Sequence, residues 1–208
     1  AFMKGKTEAV NLAKTMRAVA KKAGVELRAT LSNMDQPLGY SAGNAIEVLE
    51  CVQILRNEKR EPLLSTDLRE LTLLQCAHML MMGGVCKSLG EAKKLSLEKL
   101  KDGSAFQKFV ELCAAQGGDI YKLLRSFEGN DPLTFQSTLY PTVQKKWLAP
   151  RSGTLTEIQT ENIGNILVEM GGGRKRVTDK IHPGAGLIFH KKLGAKIKEG
   201  DLLVDRSE

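Results

Sequence analysis

The segment QPLGYSAGNAIEVLE groups residue types that hold ions at the junction of a loop and a helix. The backbone carbonyls of Leu38 to Ser41 offer oxygen ligands. Glu47 and Glu50 are three residues apart on a predicted helix, so both can approach the same side. Hard cations bind such oxygens. The alternative is an N-capping loop followed by acidic residues in the first helical turns, and the residues alone favour it.

The run GGGRKR, which begins at Gly171, is a second place where chemistry could occur. Glycines let a backbone approach a ligand closely, and Arg174, Lys175 and Arg176 could neutralise a phosphate. The run is not a P-loop, because it contains no Gly-Lys pair followed by Ser or Thr, and no GxGxxG fingerprint is present. A solvated hairpin turn is the alternative, which the residues alone favour.

Cysteine and histidine spacing argues against a disulfide framework and a zinc site. No CxxC pair occurs, and the three histidines are isolated from one another. We therefore expect reduced thiols and a cytoplasmic protein. The four cysteines are Cys51, Cys76, Cys86 and Cys113.

Hydrophobic periodicity predicts the elements that position these segments. An amphipathic helix in TEAVNLAKTMRAVAKKAG ends at Gly24, and alternation from Val25 to Leu31 predicts a strand. A helix is predicted from Asn44 to about Arg56, and further helices follow between residues 62 and 118. Three of the pairs in that region have capping-box spacing and are interpreted as structural: Asp67 with Glu70, Ser88 with Glu91, and Ser104 with Gln107.

The character of the chain changes near residue 145. Short β-like runs punctuated by Gly follow, including SGTLTEI, NILVEMGGGRKR and GAGLIFHKKLGAKIKEGDLLVD. We predict an α/β domain over 1–130 and a β-rich domain over 145–208, hinged through Asp131, Pro132 and Pro141.

Composition excludes several classes of protein. The chain has 208 residues, a formal charge of +7, 42% hydrophobic residues and 5% aromatic residues, enough for one large or two small domains. Lysines such as Lys191 and Lys192 are interpreted as lying on helix faces without interleaved aromatics, which argues against nucleic-acid binding. No apolar run is long enough to cross a membrane. The opening AFMK reads as the end of a motif, so we expect a piece of a longer polypeptide.

Three segments carry a resemblance to a known family. SNMDQPLGYSAGNAIEVLE at 32–50 resembles a motif of pyrimidine-nucleoside and thymidine phosphorylases, and AFMK resembles the end of that family's GSGAFM segment. The stretch LAPRSGTLTEIQTENIGNILVEMGGGRKRVTDKIHPGAGL resembles the C-terminal domain of the same enzymes. The order and separation of these motifs make the resemblance specific.

The resemblance implies a mixed α/β fold, with part of a phosphate-binding α/β domain and a C-terminal α+β, barrel-sandwich-like subdomain. It also implies reversible phosphorolysis of thymidine or uridine to the free base and a (deoxy)ribose 1-phosphate. Phosphate is the co-substrate, no organic cofactor takes part, and the intact enzyme is a homodimer. The family's catalytic groups belong upstream of Ala1, so no catalytic residue is expected here and this chain alone is expected to be inactive.

The resemblance also carries over to individual residues. Phe2 should lie against the pyrimidine ring. Leu38 and Ser41 by their carbonyls, with Glu50 by its carboxylate, match positions that hold a structural potassium ion. Arg174 should stabilise a domain-closed state. The alternatives are an AMP phosphorylase-like relative and a non-catalytic interaction module.

Overall fold

The computed structural model describes residues 3, 5–57, 66–121 and 145–207. The predicted hinge at Asp131, Pro132 and Pro141 lies outside these residues. Within the described ranges, the first half of the chain forms helices α1 (Lys6–Lys22), α2 (Asn44–Leu55), α3 (Thr66–Met82), α4 (Leu89–Lys101) and α5 (Ser104–Ala115), with a short strand β1 (Ser41–Ala42) before α2.

The second half of the chain is mainly strand with one helix. Its elements, in chain order, are β2 (Lys145–Leu148), β3 (Gly153–Thr154), α6 (Thr160–Glu169), β4 (Gly186–Phe189), β5 (Lys196–Ile197) and β6 (Leu202–Ser207). The architecture is therefore mixed α/β with an α+β C-terminal part, as the resemblance implied. No helix in the described part of the chain is both long enough and apolar enough to cross a membrane.

Helices α1 and α2 confirm the two predictions made from apolar spacing. Gly24 follows α1 with a φ of +69°, a left-handed conformation that only glycine adopts cheaply. Helix α1 buries no residue, whereas α2 buries Ile46, Glu50 and Val52. Helix α2 thus holds a charged side chain, that of Glu50, in the interior.

Helices α3 and α4 pack through small residues. Ala77, Cys86 and Ala92 form a buried cluster, and these small side chains allow a close approach of the two helices. The capping box at Ser88 is confirmed, because its side chain accepts the backbone N–H of Glu91 at 3.2 Å. The capping box predicted at Ser104 is wrong. Gly103 occupies the N-cap position, and the preceding acidic side chain, Asp102, accepts the Ser104 N–H instead.

A four-stranded antiparallel sheet joins the two halves of the chain. Its strand order is β1-β4-β6-β2, and Ser41 of β1 lies opposite Ile188 of β4. Strand β4 is buried along its whole length, and α2 packs against it. A separate two-stranded sheet pairs β3 with β5. Residues 41–42 therefore complete a sheet whose other strands come from beyond residue 144.

Three expectations about local structure are wrong. Residues 25–34 form neither helix nor strand, because no strand in the described ranges pairs with them. The β-like run NILVEM lies instead mainly in α6, since Ile163, Ile166 and Leu167 recur at helical spacing. Lys191 and Lys192 do not lie on a helix face; they follow β4 in its connection to β5.

Candidate functional site

The carboxylate of Glu50 organises the loop that precedes α2. Glu50 is only 5% exposed, and its Oε1 accepts the backbone N–H of Tyr40 at 2.7 Å. Its Oε2 accepts the backbone N–H of Ser41 at 3.1 Å and also the Ser41 hydroxyl. A buried carboxylate is stabilised when N–H and O–H groups point at it. The sequence places Ser41 and Glu50 nine residues apart, and the fold brings them into direct contact.

Gly39 allows this close wrapping of the loop around Glu50. Its φ is +71°, and a Cβ at this position would lie 2.6 Å from Oε1 of Glu50. A side chain would therefore be strained by the backbone conformation and would also collide with the carboxylate. Glycine is required here by both the turn and the close approach.

A small cavity lies against Ser41 and Glu50. Its volume is about 30 Å³, and Tyr40 and Ile188 form part of its wall. A space of this size holds a water molecule or an ion of similar size when polar groups line it. The Glu50 carboxylate thus borders a space with the volume of a single water molecule or small ion.

Lys192 holds the other side of the same loop. Its ammonium donates to the carbonyl oxygen of Pro37 at 2.6 Å, to the carbonyl oxygen of Gly39, and to Oδ2 of Asp67 at 3.0 Å. Its three N–H donors therefore match three acceptors. The ammonium also lies 4.9 Å from the centre of the Tyr40 ring, within the range of a cation–π contact. The Lys192 side chain is 17% exposed, so most of it is removed from water.

Asp67 connects this loop to helix α3. Its Oδ2 accepts the backbone N–H of Gly39 at 3.3 Å in addition to the Lys192 ammonium, and its Oδ1 accepts the N–H of Leu68 at 2.8 Å. Gln36 adds a further link, because its side-chain oxygen accepts the N–H of Leu193 at 2.9 Å. The spacing to Glu70 predicts a helix cap at Asp67, but α3 begins at Thr66, so Asp67 lies inside the first turn and pairs with a lysine 125 residues away.

A larger groove adjoins this network. It has a volume of about 780 Å³ and lies between the loop, α3 and α4, and Pro37 and Asp67 form part of its wall with Lys93 and Lys94. This volume is in the range of small-molecule sites. The contacts of Lys192 therefore border a space large enough for a ligand.

The glycine-rich run lies at the end of α6 and is not a hairpin turn. The N–H of Gly172 donates to the carbonyl oxygen of Leu167 at 2.9 Å, and Gly171 has a φ of +85°, as at a glycine-terminated helix end. The carbonyl oxygen of Gly172 accepts the side-chain N–H of Asn44 at 2.8 Å. The run is thus attached to the first residue of α2, the helix that carries Glu50, and Arg174 is exposed beside it.

Two family models match the chain in consecutive regions. The glycosyl transferase family a/b domain matches residues 1–106, and the pyrimidine nucleoside phosphorylase C-terminal domain matches residues 154–205. The chain belongs to the pyrimidine-nucleoside phosphorylase family. Individual relatives agree with the models. The chain is 35% identical over 204 residues to the pyrimidine-nucleoside phosphorylase of Geobacillus stearothermophilus and 34% identical to that of Bacillus subtilis (strain 168).

The relative from Staphylococcus haemolyticus (strain JCSC1435), also a pyrimidine-nucleoside phosphorylase, is 32% identical. Each of these alignments covers 98% of this chain and 44% of the relative. The chain therefore spans less than half the length of the pyrimidine-nucleoside phosphorylases it matches.

The structure places four of the residues singled out by the family resemblance in two different settings. Ser41 and Glu50 are in contact, and Leu38 lies in the same loop with its side chain 44% exposed. Arg174 is exposed two residues after Gly172, whose carbonyl oxygen accepts the side-chain N–H of Asn44 at the start of the same helix. Phe2 lies outside the described residues, so its role stays a prediction.

Lys192 is the member of the network that sequence reasoning missed. The sequence signal available was the pair Lys191–Lys192, which follows the buried strand GLIF after one intervening residue. A lysine that follows a buried strand starts at the edge of the core, and its long stem can carry the ammonium to interior carbonyls. Its acceptors, however, lie 153 and 155 residues away, which no local pattern indicates.

Proposed function

We propose that the intact polypeptide carrying this chain catalyses the reversible phosphorolysis of pyrimidine nucleosides. Phosphate would attack C1′ of the nucleoside, the C1′–N bond would break, and the base would leave as its anion, giving a (deoxy)ribose 1-phosphate. The observation that carries the proposal is that 98% of this chain aligns with pyrimidine-nucleoside phosphorylases, with matched family models in both halves. This alignment favours the phosphorylase over a non-catalytic module.

In this proposal the residues of this chain position the reaction; they do not take part in bond breaking. Glu50 holds the N–H groups of Tyr40 and Ser41, and this hydrogen bonding fixes the loop before α2. The β1–β4 pairing then ties the loop to the C-terminal sheet. Precise placement of reacting groups supplies a large share of enzymatic rate, so a loop fixed at both ends is suited to such a role.

We assign the structural potassium ion that the resemblance implies to the loop before α2. Leu38 and Ser41 would contribute carbonyl oxygens and Glu50 its carboxylate, and the cavity of about 30 Å³ lies against Ser41 and Glu50. Asp67 pairs with the Lys192 ammonium, whereas Glu50 accepts the backbone N–H groups of Tyr40 and Ser41. Potassium, when bound, would supply positive charge that neutralises Glu50 and draws in further oxygen ligands.

Arg174 and Phe2 complete the proposed assignments. Arg174 is exposed on a run anchored to α2, and we place it in a contact that forms when the two domains close and exclude water from the site. Phe2 would lie against the pyrimidine ring. We further propose a homodimer, and a cytoplasmic location supported by four free cysteines.

The test is phosphate-dependent release of free base from uridine and from thymidine. The full-length gene product that carries this sequence is assayed beside the 208-residue chain, with and without phosphate and with potassium replaced by choline. We expect the full-length product to release base only when phosphate is present, to need potassium, and to be more active than the 208-residue chain. The ratio of the two nucleoside rates reports the preference between uridine and thymidine.

Each arm can contradict a different part of the proposal. No base release from either nucleoside at any phosphate concentration would overturn the proposed activity. Equal rates in potassium and choline would overturn the cation assignment and leave the activity standing. Sedimentation of the full-length product tests the homodimer independently of both.

A further inference from the structure

We propose that Lys192 is a positioning residue. Its ammonium, which belongs to the C-terminal half of the chain, holds the loop that contains Ser41 in the conformation in which this loop donates hydrogen bonds to Glu50. The inference deepens the proposed phosphorolysis and rests on it for its kinetic consequence. Its structural consequence stands on the contacts alone.

Lys192 and Glu50 bind opposite ends of one peptide group. The ammonium donates to the carbonyl oxygens of Pro37 and Gly39, while the carboxylate accepts the N–H groups of Tyr40 and Ser41. The peptide bond between Gly39 and Tyr40 has its oxygen on Lys192 and its N–H on Glu50. Its orientation is therefore set from both sides by opposite charges, and each charge strengthens the other's hydrogen bond.

The Lys192 ammonium is largely removed from water, and only specific contacts offset the free-energy cost of this desolvation. The Lys192 side chain is 17% exposed, and its three N–H donors meet two carbonyls and one carboxylate. A buried charge persists when it is paired and hydrogen-bonded. The sequence neighbour Lys191 differs, since its ammonium pairs with Asp201 at 3.1 Å within the C-terminal half itself.

The contacts of Lys192 span three separate segments of the chain. Lys192 follows β4, whereas Pro37 and Gly39 precede β1, and Asp67 lies in the first turn of α3. One side chain thus joins the region matched by the C-terminal family model to two segments of the region matched by the a/b model. Because of this ammonium, the conformation of the loop before β1 depends on the position of the C-terminal sheet.

The experiment compares Lys192→Met with Lys191→Met in the full-length gene product. Both variants replace an ammonium by an apolar chain of similar length, at adjacent positions. Amide hydrogen exchange of Tyr40 and Ser41 reports the loop, and kcat/KM for base release reports the reaction. For Lys192→Met we expect exchange at these amides to accelerate about 5–150-fold, the usual range for coupled sites. We expect kcat/KM to fall about 10–100-fold, as when groups supporting a site are removed.

Chemical rescue separates a role in positioning from a role in packing. Lys192→Ala removes the atoms of a propylammonium ion, so added propylammonium should restore amide protection and kcat/KM, whereas neutral 1-propanol should not. If Lys192→Met does not fold, the same two additives still test the proposal. Lys192→Ala can be refolded in propylammonium or in 1-propanol, and its amide protection and kcat/KM can then be compared between the two.

The outcomes distinguish this inference from the proposed function. If the unaltered protein releases no base, the proposed function fails, and hydrogen exchange with rescue still tests Lys192. If the unaltered protein is active but Lys192→Met matches Lys191→Met in exchange and kinetics, the inference is overturned. Rescue by 1-propanol as complete as that by propylammonium would also overturn it, since packing alone would then explain the loss.

Discussion

The backbone N–H of Tyr40 lies 2.7 Å from Oε1 of Glu50, and this contact links a loop to the interior of helix α2. Glu50 is the one charged residue that α2 buries in the described chain. Its carboxylate accepts hydrogen bonds from the loop before α2, so the conformation of this loop and the burial of the carboxylate depend on each other.

Glu50→Gln should destabilise the protein by about 1–3 kcal/mol. The neutral amide gives a weaker acceptor for the N–H groups of Tyr40 and Ser41, and its NH₂ group turns a donor towards buried donors. Urea denaturation followed by circular dichroism measures the loss. Glu47→Gln is the matched control on the same helix, because Gln can still accept the Gly43 N–H through its oxygen. Equal midpoints for the two variants would contradict the role given to Glu50.

Cys51 provides a pH-dependent reporter of the same carboxylate. Desolvation of its sulfur, then the charges of Glu50 and Glu47, raise the pKa of the Cys51 thiol above its ordinary value. The folded thiol therefore keeps its proton to higher pH than the unfolded thiol. The contribution of the Cys51 thiol to the free energy of unfolding therefore decreases as the pH rises from the ordinary thiol pKa through the raised pKa of the folded state.

Alkylation by iodoacetamide should thus be slower at Cys51 than at a free cysteine near pH 8.5, since the thiolate is the nucleophile. In Glu50→Gln the rate at Cys51 should rise, because one of the charges that raises the thiol pKa is gone. Mass spectrometry of the peptide containing Cys51, over a series of pH values, gives both rates. A rate unaffected by the substitution would show that Glu50 does not act on this thiol.

Gly39→Ala should be more damaging than Gly84→Ala. Both glycines have a φ of +71°, so both substitutions incur the left-handed backbone cost of about 1–2 kcal/mol. Only at Gly39 does the new Cβ meet the Glu50 carboxylate, at 2.6 Å; at Gly84 nothing lies within 4 Å. The difference between their denaturation midpoints isolates the collision. A Gly84→Ala variant as unstable as Gly39→Ala would remove the evidence for it.

Gly186→Ala tests the contact between α2 and the C-terminal sheet. A Cβ at Gly186 would lie 2.5 Å from Cδ1 of Ile46, and overpacking of this kind costs about 1–3 kcal/mol. Ile46→Val alone should cost about 0.5–1.5 kcal/mol, because Ile46 is buried. The double variant should be more stable than the sum of the single losses predicts, since the colliding methyl group is absent. A double-mutant cycle by thermal denaturation measures this coupling, and strict additivity would argue against the contact.

Arg174→Ala in the full-length gene product should lower kcat/KM for phosphorolysis, by up to about 100-fold if closure positions the reacting groups. Folding should be unaffected, because Arg174 is exposed. Lys175→Ala is the matched control in the same run, since that ammonium is already paired with Glu169 at 2.5 Å. Steady-state kinetics and a melting curve on both variants check the expectation. Unchanged kinetics for Arg174→Ala would remove Arg174 from the proposed closure.

Local sequence determined the helices and part of the site. Apolar spacing predicts α1 and α2, and Gly24 marks the end of the first, because helical periodicity and left-handed glycine conformations are encoded within a few residues. The segment containing Ser41 and Glu50 could be singled out for the same reason. Its oxygen ligands and its carboxylate lie within one short stretch of chain.

The tertiary structure alone decided which distant groups meet that segment. Alternation from Val25 to Leu31 predicts a strand, but a strand exists only where another strand accepts its hydrogen bonds, and none in the described residues does. Conversely, Ser41 and Ala42 carry too little pattern to predict a strand and become one by pairing with β4. Lys192 and Asp67 join the loop because a charged group leaving water must find partners wherever the fold supplies them. Such partners are fixed by proximity in space, which the order of residues along the chain does not contain.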